Sequence, residues 1–130
     1  MEDTCVILDT NILMVPESQG VDIFSELDRI LDKKYKLIVP ETIVEELKNI
    51  KKRGESSSER KAARIGLELS SRAEKVPSKK KGDEEIMRLA RGKNCAVATN
   101  DSRLRKNLRK EDIPTIYLRQ KSHLTLEGKI

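Results

Sequence analysis

The segment Val6-Ile7-Leu8-Asp9-Thr10-Asn11 is a short aliphatic run closed by polar residues. Such a run reads as a buried parallel strand whose carboxyl end opens to solvent. In open α/β sheets ligands bind outside the carboxyl ends of the strands, which puts Asp9 where chemistry usually occurs. Aspartate also closes strands simply because it favours turns. Asp9 therefore gains a functional meaning only if other acids converge on it.

Outward from this strand, the apolar pattern alternates between helical and strand periods. Val21, Ile23, Phe24, Leu27, Ile30 and Leu31 predict a helix over 21–33, and Lys36-Leu37-Ile38-Val39 predicts a strand. Pro40 suits the first turn of the next helix, which carries Ile43, Val44, Leu47 and Ile50 on one stripe. Residues 51–58 read as an exposed turn, and Ala62, Ile65, Gly66, Leu69 and Ala73 outline a helix over 58–75. A basic loop, Pro77-Ser78-Lys79-Lys80-Lys81-Gly82, precedes a helix over 83–92. Cys95-Ala96-Val97-Ala98 is a strand, 102–110 a helix and Thr115-Ile116-Tyr117-Leu118 the last clear strand. Strands alternating with helices predict a single three-layer α/β/α domain over 1–130, around a central, mostly parallel sheet.

Composition narrows the chemistry. With one Phe, two Tyr and no Trp, the core must be aliphatic and stacking platforms for nucleobases are nearly missing. The formal charge of +5 permits a polyanionic partner without requiring one. A lone histidine, His123, excludes the usual zinc site and the histidine base of a catalytic triad. No apolar run spans a bilayer and a strand begins at once, so the expectation is a cytoplasmic protein without a secretion signal or membrane association. Cys5 and Cys95 then read as reduced core residues of interior strands.

Three further acids survive a geometric filter. On the helix after Pro40, with about 100° per residue, Glu45 lies opposite the apolar arc while Glu46 lies on its edge. On the helix after Gly82, Asp83 falls inside the arc of Ile86, Met87, Leu89 and Ala90, whereas Glu84 and Glu85 fall outside. Asp101 stands just past the carboxyl end of the strand at 95–98. Each has an ordinary reading: Glu46 as a surface acid, Asp83 and Asp101 as residues that cap or complement a helix N-terminus. Crowded at one rim, carboxylates repel unless a cation holds them, and oxygen-only donors suit Mg²⁺ or Mn²⁺.

These residues carry a resemblance to the PIN-domain family of metal-dependent ribonucleases. It rests on Leu8-Asp9-Thr10-Asn11, on Val39-Pro40 through Glu46-Leu47, on Gly82-Asp83-Glu84-Glu85-Ile86 with Ala90, and on Thr99-Asn100-Asp101. The resemblance implies a PIN-like fold and an acidic quartet of Asp9, Glu46, Asp83 and Asp101 as catalytic and metal-binding residues. It implies that Asn11 supports the first aspartate and that Thr99 supplies a hydroxyl near the metal. Within the family the chain is most similar to small archaeal single-domain proteins related to VapC toxins and to the pre-ribosomal RNA endonuclease of the small-subunit processome. The implied activity is hydrolysis of RNA phosphodiester bonds with Mg²⁺ or Mn²⁺, either in rRNA processing or as a toxin paired with an antitoxin protein, in a chain that dimerises with itself.

Lys79, Lys80 and Lys81 have no acidic neighbour before Asp83 and read as RNA contacts; the basic residues around 105 read as a solvated face. A haloacid-dehalogenase-like phosphatase would want a second Asp where Asn11 stands, which removes its general acid. The remaining alternative is a non-catalytic RNA-binding or assembly module on the same fold.

Overall fold

The computed structural model describes residues 4–130. β1 (Thr4–Leu8) is buried along its whole length, as expected for a strand covered on both faces. It is followed by α1 (Thr10–Gln19), α2 (Ile23–Ile30), β2 (Tyr35–Pro40), α3 (Glu41–Arg53), α4 (Ser57–Leu69) and a single 3₁₀ turn. β3 (Glu74–Val76), α5 (Gly82–Gly92), β4 (Cys95–Ala98), α6 (Ser102–Lys110), β5 (Thr115–Arg119) and β6 (His123–Glu127) complete the chain.

The strands form one sheet in the order β3-β2-β1-β4-β5-β6, with only β6 antiparallel to its neighbour. From β1 the chain winds outward through β2 and β3, then returns to the other side of β1 as β4 and β5. The order therefore reverses between β1 and β4, and a crevice opens outside their carboxyl ends. Asp9 follows β1 and Asp101 follows β4, so both stand at that crevice. The first four helices pack against one another, while α5 rests on β4 and α6 on β5, giving the three-layer arrangement expected. Where α4 crosses α1, a Cβ on Gly66 would come within 2.9 Å of the Leu13 carbonyl oxygen, so only glycine allows this approach.

The expected helix over 21–33 is shorter than predicted, and α1 precedes it unannounced. Thr10, Ile12, Leu13 and Val15 are all buried, so α1 shows no amphipathic stripe, and Pro16 lies inside it. The helix expected over 58–75 ends at Leu69, and Glu74-Lys75-Val76 pairs with Ile38–Pro40 as the edge strand, where charged residues are normal. α3 continues through Arg53, so the turn expected over 51–58 contracts to a few residues. β6 was not anticipated as a strand. The β5–β6 turn places Gln120 and Lys121 at φ of 54° and 57°, the backbone of a tight hairpin turn without the Asn-Gly signature that betrays one.

The cysteines are a further correction. Cys5 and Cys95 are not free thiols but a disulfide between directly paired residues of β1 and β4, with Cα atoms 4.3 Å apart. Sequence reasoning placed both in interior strands but could not place those strands side by side. Among the described residues, no helix is long and apolar enough to cross a membrane.

The cystine closes a loop across 90 residues, so its loss should cost folding stability of roughly 2–4 kcal/mol. The intact protein is expected to weigh two hydrogens less than its reduced form under non-reducing mass spectrometry. The denaturant midpoint should fall by the matching amount in Cys95→Ser.

Candidate active site

The end of β1 and the end of β4 are tied through side chains rather than through the sheet ladder alone. Asp9 is almost fully buried, at 6% exposure, and its two oxygens have separate duties. Oδ1 accepts from the Thr10 amide at 2.8 Å, which starts α1. Oδ2 accepts from Thr99 Oγ1 at 2.6 Å and from Asn11 Nδ2 at 3.1 Å. Thr99 Oγ1 in turn accepts from the Asp101 amide at 3.1 Å, so one buried hydroxyl orients the first aspartate and positions the last.

Asn11 spans the same junction, with Oδ1 accepting from the Asn100 amide at 2.8 Å. Asn100 Oδ1 accepts from the Leu118 amide at 2.8 Å and so attaches β5 to this corner. Sequence reasoning selected Asn11 and Thr99 but gave Asn100 no role. Its position between two selected residues was the available signal.

Asp101 is also the N-cap of α6, with Oδ1 accepting from the amides of Arg103 and Leu104. The ordinary and functional readings of this residue coexist on different atoms. Asp83 behaves otherwise: no side chain caps α5, and its ordinary duty reduces to an acid in the first turn that complements the helix dipole.

Asp83 is exposed, not folded onto the apolar face, while Glu85, expected to be outward, is fully buried. The helical wheel fails here because the preceding loop folds over the first turn of α5. Glu85 Oε1 accepts from the amides of Lys79 and Lys80 at 3.2 and 3.0 Å and from Arg88 Nε at 2.8 Å. Its other oxygen accepts from Arg88 Nη2 at 2.7 Å. This charge-assisted set keeps the Glu85 carboxyl below its ordinary range.

The loop is fixed to α3 as well. Ser78 Oγ accepts from the Thr42 amide, and Thr42 Oγ1 accepts from the amide of Gly82, both at 3.0 Å. Gly82 takes φ of 55°, a left-handed conformation that suits glycine. The backbone of Lys79–Lys81 is thereby held between α3 and α5, and the three lysines are exposed.

The four acids act on one another through their charges. Burial, with added repulsion from Asp83 and Glu46, pushes the Asp9 carboxyl up to about 6 despite the opposing bonds from Thr99 and Thr10. The Asp83 carboxyl is also raised, first by desolvation and then by Asp101. Among the described residues, none of the four takes part in an ion pair, although the chain has 27 lysines and arginines.

The same residues do not close into a tight cage. Among the described residues, no three Asp, Glu, His or Cys side chains stand close enough to hold one ion together. The donor set still fits a hard divalent cation. Mg²⁺ in particular keeps several waters and takes only one or two carboxylates directly. Four carboxylates without cationic partners, two of them (Asp9 and Asp83) with raised proton affinity, are what such an ion would neutralise.

The sheet reverses at β1/β4, where Asp9 and Asp101 stand, and the charges of Asp83 and Glu46 reach Asp9 there, in a three-layer α/β/α domain. The chain belongs to the PIN-like domain family, which it matches over residues 6–121. It is 28% identical to ribonuclease VapC4 of Methanocaldococcus jannaschii, across 96% of this chain and 98% of that protein. It is 26% identical to ribonuclease VapC9 of Archaeoglobus fulgidus, across 95% and 89%. Among solved structures it is similar to the PIN domain endonuclease Utp24, with a TM-score of 0.77 at 28% identity, over 97% of this chain and 92% of that one.

Asp9 holds its proton more tightly in the folded protein than the ordinary carboxyl at 3.8 does in the unfolded chain. Its contribution to stability is therefore fully present below that lower value and is lost as pH rises through about 6. Relative to Asp9→Asn, the metal-free wild type should gain stability on acidification from about pH 7.5 to about pH 4, by at most roughly 3 kcal/mol. Chemical denaturation of both proteins at each pH checks it; a constant difference between them would contradict the burial of a charged Asp9.

Proposed function

We propose that this protein is an endoribonuclease that hydrolyses RNA phosphodiester bonds with a divalent metal ion, Mg²⁺ or Mn²⁺. The observation that carries the reading is the Asp9 carboxyl at the crevice where the sheet order reverses, raised first by its burial and further by Asp83 and Glu46. The names of its full-length relatives, two ribonucleases and an endonuclease, support the same chemistry.

Asp9 is the central ligand, with Asp83, Asp101 and Glu46 as the other acids that would hold the ion directly or through its waters. A bound divalent cation supplies charge neutralisation at the phosphate and acidifies water beside it. The chain's own contribution is orientation. Thr99 and Asn11 donate to the same oxygen of Asp9, so its carboxylate cannot rotate away from the crevice. No histidine is required for this chemistry, which agrees with the only histidine, His123, lying on the edge strand β6. Lys79, Lys80 and Lys81 contact the phosphates of the RNA from a loop whose backbone is already fixed, which limits the entropy lost on binding.

We further infer a cytoplasmic role as a VapC-like toxin with an antitoxin partner, or as an rRNA-processing enzyme, in either case as a homodimer. The buried position of Cys5 and Cys95, at 6% and 3% exposure, shields their bond from reductants there.

Single-stranded RNA incubated with purified protein and Mn²⁺ or Mg²⁺ should be cleaved, and chelation should stop cleavage. Asp9→Asn should lose more than the roughly 10–100-fold expected for an outer-shell partner, and Thr99→Val should fall within that range. Equal cleavage by wild type and Asp9→Asn would identify a contaminant and leave a non-catalytic RNA-binding module as the remaining reading.

A further inference from the structure

A groove of about 860 Å³ opens beside Asp83, between α5 and α6. Lys80, Arg88, Arg91 and Arg103 line it, and Met87 and Leu104 give it apolar surface. Two of these guanidiniums are pinned by carboxylates through the same pair of nitrogens. Arg88 donates Nε and Nη2 to Glu85, and Arg91 donates Nε and Nη2 to Glu111 at 2.7 and 2.8 Å.

A guanidinium carries five N–H donors in a planar fork, so each of these pairs leaves Nη1 uncommitted to its carboxylate. The arginine is then already ordered when a ligand arrives. Glu85 is fully buried, so its charge does not face the groove, whereas Arg88 and Arg91 are 33% and 58% exposed. Asp83 also lines the groove and is assigned to the cation by the reading above. The lining sets four cationic side chains, Lys80, Arg88, Arg91 and Arg103, against the two acids Asp83 and Glu84, and Glu111 holds Arg91 from outside it.

We propose that this groove is the track for the single-stranded RNA segment flanking the scissile phosphate, with Arg91 and Arg103 contacting successive phosphates. The assignment rests on the ribonuclease reading and specifies where the strand leaves the site. The second basic face of α6 does not serve. Its depression of about 540 Å³, lined by Ser102, Arg105, Lys106, Arg109, Lys110 and Glu127, includes none of the four acids, although Ser102 adjoins Asp101. There the Arg105 guanidinium lies 3.9 Å from the Tyr117 ring centroid, and Arg109 donates to the Ile113 carbonyl. With no aromatic residue lining the α5–α6 groove, contact is to phosphates and depends little on base identity.

The test is binding of a fluorescent single-stranded RNA of about 12 nucleotides, long enough to fill such a groove, to full-length Asp9→Asn protein at several salt concentrations. Adding Arg91→Ala with Arg103→Ala should weaken binding roughly tenfold and reduce the slope of log affinity against log salt by about 1.4, the value for two phosphate contacts on a single strand. Adding Lys106→Ala with Lys110→Ala instead should change affinity less than about twofold. Unchanged binding in the arginine pair, or an equal loss in the lysine pair, overturns the groove assignment. Because binding is read without cleavage, the two readings fail separately. A protein that binds through the groove yet never cuts RNA defeats the nuclease reading alone. Normal KM for a long RNA in an otherwise wild-type Arg91→Ala, Arg103→Ala enzyme defeats the groove alone.

Discussion

The hydrogen bond from Thr99 to Asp9 joins two parallel strands at the point where the chain changes direction across the sheet. Burying a carboxylate there is unfavourable, and each charge-assisted bond offsets only about 1.5–3 kcal/mol of that cost. The residual penalty appears as the raised proton affinity of Asp9. The neighbouring structure serves this arrangement. The register that pairs Leu8 with Ala98 brings Thr99 beside Asp9, Asn11 returns from the first turn of α1 to both, and Asn100 extends the corner to β5. A one-residue slip of β4 would turn Thr99 to the opposite face and leave Asp9 without its strongest bond.

A second constraint fixes the side of the crevice that is not built from strand ends. The loop before α5 carries Lys79–Lys81 and leads into Asp83, yet a segment with three adjacent lysines has little reason to stay in one place. It is held because buried Glu85 accepts two of its amides while Thr42 and Ser78 exchange bonds between α3 and the loop. The acid of α3, Glu46, and the acid of α5, Asp83, are thus referred to a common frame, and both fields reach Asp9. Removing the Glu85 charge would leave Arg88 unpaired in a partly buried place, which makes the pair a condition of the loop rather than a surface ornament.

Much of this is legible in the amino-acid sequence. β1, β2, β4 and β5 announce themselves because buried parallel strands are short unbroken aliphatic runs, and α3, α5 and α6 because each has one apolar face. The acids at strand ends, Asp9 and Asp101, could be singled out from position alone. The hidden elements share physical causes. α1 is apolar on several sides and so shows no stripe, and β3 is a charged edge of three residues. β6 pairs through a turn of Gln120 and Lys121 at positive φ, where sequence rules look for glycine or asparagine. Helical periodicity inverts Asp83 and Glu85 in α5 because it represents the helix and its core but not a loop laid over the first turn.

The amino-acid sequence by itself determined the layered α/β architecture, the aliphatic core and the identity of the acids that could form a site, because these follow from local period and residue chemistry. Only the tertiary structure decided which groups meet. It paired Cys5 with Cys95, gave Thr99 to Asp9, buried Glu85 under a basic loop and left Asp83 facing a groove lined with pinned arginines. Those outcomes depend on strand order and on contacts between residues up to 90 positions apart, and no local pattern carries information over that separation.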